Sequence, residues 1–164
     1  FNPKHPLQFY EKSRRQGITD ASCVTAAKKV AWVINTYGKG SPQLVPAWQL
    51  RLGDALRAAG KDREAITAYG QLLSLPPNTP VNGEFGPYRD IKAYQREAQL
   101  NQAIILARLG SRAESRDKLA TLETTTSRER LLAAEARLLN HDRVADLLRD
   151  VKGDGHPEND LRSW

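Results

Sequence analysis

The sequence predicts an all-α protein: an α-α superhelix of about four antiparallel helix pairs, with a Pro/Gly-rich loop near 76–87. Three observations predict it. Apolar residues recur at three- and four-residue spacing rather than alternating. Breaks at Gly17, Gly60, Gly110 and Asn140 each fall between two such periodic segments. Hydrophobic residues make up 40% and charged residues 27% of the 164, enough apolar surface for one core and too much for general disorder. The length fits a single helical domain, 1–164.

Each element follows from its own signals. Pro6 can open a helix to about Gln16, closed by Gly17. Asp20 is expected to cap a second, about 21–37, whose Cys23, Ala27, Val30, Ile34 and Tyr37 form one apolar stripe. Gly38 to Pro42 breaks the chain. Pro46 starts a third helix to about Ala59, and Asp62 is expected to cap a fourth over about 62–75. Residues 76–87 hold four prolines and two glycines and read as a long loop, with Asn82-Gly83 as a turn and Phe85 packing back onto the helices. Such a loop serves either as a functional segment or as a cap. A long helix follows over about 88–109, and a shorter one over about 112–122. Ala103 to Ala107 are all apolar, so the long helix should be covered on more than one side. Thr126-Ser127-Arg128-Glu129 reads as a capping box opening a helix to about Leu139. Asp142 begins a last helix to about Val151, and 153–164 reads as a loosely held tail.

The segment 52–77 carries more than periodicity. Leu52-Gly53, Leu56, Gly60, Ala65, Tyr69, Leu72 and Pro77 alternate small and large residues about a glycine break, with Trp48 shortly before. This order resembles a tetratricopeptide repeat. Ala103, Leu106, Ser115, Leu119 and Leu122 match it around Gly110, so the best repeats span 47–122. The breaks lie 43, 50 and 30 residues apart, against the family's period of about 34. The resemblance implies a non-catalytic interaction module, a scaffold or adaptor within a larger bacterial-type assembly. The first helix of each pair would line a concave surface that holds a partner peptide or protein. The residues implied there are Leu50, Asp54 and Arg57 in one repeat and Leu100, Ile104 and Arg108 in the next. The carboxylate-gripping subset of the family needs Asn where Asp54 and Ile104 stand, so that activity does not transfer.

The sequence carries no recognisable catalytic or metal-binding constellation. Cys23 is the only cysteine and falls on an apolar stripe, as a core residue would; His5, His141 and His156 are scattered. Ser115 to Lys118 has S-x-x-K spacing without the elements that accompany it in penicillin-binding enzymes. No cofactor or metal and no enzymatic activity is expected. No apolar run approaches the roughly 20 residues of a membrane span. The chain lacks methionine even at position 1 and reads as a processed form or a piece of something longer, with export to the periplasm as one explanation.

The net charge of +6 is uneven. Residues 1–46 hold seven Lys/Arg against two acids, whereas 81–164 hold fourteen of each. Phe9, Tyr10, Lys12, Arg14, Arg15, Lys28, Lys29, Trp32 and Tyr37 therefore support a second reading, a nucleic-acid- or polyanion-binding domain. Phe9, Trp32 and Tyr37 are expected in the core, which makes this the weaker of the two.

Overall fold

A computed structural model describes residues 20–140. Six α-helices and one short 3-10 turn account for its regular structure, and the described residues contain no strand. The helices are α1 (Asp20–Tyr37), α2 (Val45–Ala58), α3 (Asp62–Leu73), α4 (Ile91–Arg108), α5 (Arg112–Ala120) and α6 (Ser127–Leu139). The 3-10 turn is Pro42–Leu44. The expected helices at 6–16 and 142–151 and the tail lie outside the described residues. The chain divides into two compact units, one ending at Gln99 and the other starting at Leu100, within α4.

In the first unit α1 packs on α2, and α2 on α3. Val30 and Val33 of α1 meet Leu44 and Trp48 in a buried cluster, with Ile34, Tyr37, Leu52 and Phe85 at its edge. Cys23 is buried, as its stripe predicts. Trp32 is not: it is 53% exposed, which overturns its assignment to the core. Counting from Cys23, the buried positions of α1 run through Ala26, Ala27, Val30 and Val33. Trp32 is one position off that face, about 100° round the helix.

The chain leaves α2 and re-enters at α3 through a complete Schellman turn. Gly60 takes φ +73°. Its N–H donates to the Arg57 carbonyl at 3.0 Å, and the Lys61 N–H donates to that of Leu56 at 2.9 Å. Lys61, not Asp62, is the N-cap residue of α3 and makes no side-chain cap bond. The turn has already committed the Lys61 N–H and holds its backbone outside the helical region, so Asp62 becomes the first helical residue. Asp62 and Glu64 instead supply negative charge to the positive end of α3.

The loop between α3 and α4 is tied inward at several points. The Asn82 N–H donates to the Gln43 carbonyl at 3.0 Å, and Asn82 accepts from Glu84 N–H through its side chain and from Phe85 N–H through its carbonyl. Phe85 reaches the cluster around Trp48 as the sequence predicts. A β-carbon on Gly86 would lie 1.8 Å from the Tyr94 hydroxyl, so only glycine lets the loop lie so close to α4. Tyr88 meets Tyr94 edge to face at 5.1 Å and donates its hydroxyl to Glu97. Through these contacts the loop covers the cluster around Trp48 and α4. Asp90 then caps α4 by accepting from the Ala93 N–H at 2.8 Å. Gln95 donates to the last carbonyls of α3 and its exit, those of Leu72, Leu73 and Leu75.

The second unit repeats the turn. Gly110 takes φ +86°. The Gly110 N–H donates to the Ala107 carbonyl at 3.1 Å and the Ser111 N–H to that of Leu106 at 2.9 Å. Every bond of the Gly60 turn thus recurs fifty positions later. Leu100, Ala103 and Ile104 of α4 form the core with Leu119 of α5 and Ala133 and Ala136 of α6. A buried polar relay ties the same three helices. Asn140 Nδ2 donates to Ser115 Oγ at 2.9 Å, and Ser115 Oγ donates to the Ala103 carbonyl at 2.8 Å. That relay gives the buried Ser115 hydroxyl a structural task.

The predicted capping box opens α6. Thr126 accepts from the Glu129 N–H, and the Glu129 carboxylate accepts from the backbone N–H of Thr125 and Thr126. At its end, Asn140 occupies the C-cap with φ −80° and ψ 3°, close to the −78° and 1° of Ala59. α6 thus ends at the break expected at Asn140.

Candidate functional site

Among the described residues, the α2–α3 seam and a cleft in the C-terminal unit each gather polar side chains within one unit. In the seam, Gly53 leaves no side chain, and the Tyr69 ring takes the room: a β-carbon there would sit 2.4 Å from Tyr69 Cε1. Across the ring, the Tyr69 hydroxyl donates to Asp54 Oδ1 at 2.6 Å. Arg51 Nη1 stands 3.6 Å from the other Asp54 oxygen. Burial pushes the Asp54 carboxyl above the usual carboxylate range, while the Tyr69 hydroxyl and the Arg51 charge pull it back and Glu97 nearby adds to the rise. On the same seam Gln49 Nε2 donates to the Ala68 carbonyl at 2.9 Å and to Gln71 Oε1 at 2.8 Å. These groups are saturated by one another. They hold α2 and α3 in register.

The second place is a cleft in the C-terminal unit, of about 50 Å³. Its floor is Leu100, Leu119 and Ala133, its wall Leu122, and its rim Thr124, Arg130 and Arg137. The two arginines are seven residues apart on α6, two helical turns, with Ala133 between them on the same face. The space is of the size of one side chain or a few waters, and Arg130 and Arg137 are its charged lining residues.

The six residues expected to meet a partner are placed unequally. Leu50 is 1% exposed, and Leu100 and Ile104 are fully buried. For Leu100 and Ile104 the reason is α6, which packs over the very face of α4 that the repeat pattern leaves open. Asp54 is only 18% exposed at its side chain and is engaged with Tyr69. Arg57 is half-buried and Arg108 exposed. Asp54 and Arg57 share α2, and Leu100 alone of the six reaches the cleft, as part of its floor. Thr124, Arg130 and Arg137 escaped the sequence reading. The i, i+7 pair of arginines flanking an alanine on a capped helix was the available signal.

Among the described residues, no three His, Cys, Asp or Glu side chains cluster as metal ligands would. No described helix is long and apolar enough to cross a membrane. Compared with known proteins, the chain matches no family, no curated protein and no solved structure.

Proposed function

We propose that this chain is a non-catalytic protein-interaction module of tetratricopeptide-like build, an α-α superhelix that holds a partner peptide or protein within a larger assembly. The observation that supports this most is the recurrence of one turn, bond for bond, at Gly60 and Gly110. Units repeated in this way extend a surface rather than converge on a reacting centre. The cleft bounded by Leu122, Thr124, Arg130 and Arg137 is the part of that surface with the shape of an anchor site. A partner segment with an apolar side chain next to an acidic one suits it, because the floor desolvates the first and the rim pairs with the second.

The test is affinity capture with the immobilised chain beside an Arg130→Glu, Arg137→Glu variant, with mass spectrometry of both eluates. Proteins enriched on the wild type and lost on the variant are the expected result. Identical eluates, or a wild-type eluate containing no enriched protein, would reject the reading.

A further inference from the structure

We propose that the outer face of α1 is a separate binding surface for single-stranded nucleic acid. Between Ala21 and Gly53 the sequence has no carboxylate, while Lys28, Lys29, Lys39 and Arg51 are all basic. On α1 and the turn after it, Thr25, Lys28, Lys29, Trp32, Asn35, Thr36 and Lys39 are exposed. Spacing of three and four residues puts the first six on one stripe of α1, and Lys39 follows it in the turn. Trp32 is the largest apolar side chain exposed among the described residues, and it stands in the middle of that stripe. Its indole is braced, not loose: Tyr37 meets it edge to face at 5.7 Å and 81°, and Tyr37 itself packs against the Val30–Trp48 cluster.

A braced aromatic ring flanked by ammonium groups is the arrangement that stacks a base and neutralises the adjoining phosphates. A merely solvated face would not need its bulkiest side chain outward. A membrane surface calls for several apolar side chains beside the tryptophan. Among the described residues the exposed neighbours are lysine, asparagine and threonine, so the chemistry favours a soluble polyanion that carries flat rings. This surface lies in the N-terminal unit and shares no residue with the cleft, so it stands or falls independently of the protein-partner reading.

The experiment is fluorescence anisotropy of a labelled oligo(dT) titrated with the whole chain at several salt concentrations. Binding is expected, with a log–log salt slope of about −2 or steeper, as three lysines on a single strand would give. Trp32→Ala should weaken it about tenfold or more, and Trp32→Phe, which keeps a ring, should recover part of the loss. Lys28→Glu with Lys29→Glu should weaken binding and flatten the slope by more than one. Circular dichroism should show all three variants folded, since the changed side chains face solvent. No oligonucleotide binding at low salt would overturn the proposal. So would full affinity in Trp32→Ala, or capture by phosphatidylserine vesicles in place of the oligonucleotide.

Discussion

Gly53 shows how one missing side chain sets a helix pair. Replacing glycine by alanine within a helix ordinarily gains about 1 kcal/mol. Here the new methyl would collide with a ring that is fully buried and tied through its hydroxyl to Asp54. The collision wins. Gly53→Ala should cost about 1–3 kcal/mol, and Gly53→Leu more, in urea denaturation; an unchanged midpoint would remove Tyr69 from the seam. Asp54 gives a prediction in pH. Its carboxyl is raised by burial, so the fold binds that proton more tightly than the unfolded chain. Its contribution is therefore complete in acid, below about pH 3.9, and is lost as pH rises through the raised value. Asp54→Asn should accordingly gain stability relative to the wild type between pH 3 and pH 7. A relative loss over that range would mean that the Arg51 pair outweighs desolvation. Leu50 was read as a surface anchor and is a core residue, so Leu50→Ala should cost about 2–5 kcal/mol in the same denaturation assay rather than leaving the fold intact.

Among the elements, what was legible in the sequence is what local chemistry decides. The turns at Gly60 and Gly110 and the Thr126 capping box are encoded within a few residues, and all three form as read. Because nothing lies within 4 Å of a β-carbon at Gly60 or Gly110, alanine at either pays only for the left-handed backbone. The two substitutions should cost the same, about 1–2 kcal/mol each, and a cost at one alone would show the turns to be inequivalent. Thr126→Ala should cost about 1 kcal/mol by removing the cap. Which face of a helix is covered is decided far away in sequence, and there the reading failed. Periodicity placed Leu100 and Ile104 on an open surface, but α6, which begins 23 residues after Ile104, closes over them. Trp32 is a different case: the α1 stripe through Cys23, Ala27, Val30, Ile34 and Tyr37 already turns it outward, and only its apolar character argues for the core.

For the molecule as a whole, two readings rest on two separate surfaces: a small arginine-rimmed cleft in the C-terminal unit and a basic, aromatic stripe on α1. The all-α architecture came through because every segment between breaks carries helical spacing. The cleft did not, because Leu100 comes from α4, Leu119 from α5, Leu122 and Thr124 from the α5–α6 connection, and Arg130 and Arg137 from α6. Only the packed unit brings them together. The proposal that this cleft holds a protein is decided by placing a photo-activated crosslinking side chain at Thr124 in the whole chain, with exposed Thr67 on α3 as the control position. Irradiation in source-cell lysate should give a discrete covalent protein adduct from Thr124 and none from Thr67. No adduct at Thr124, or the same adducts from both positions, would contradict the account.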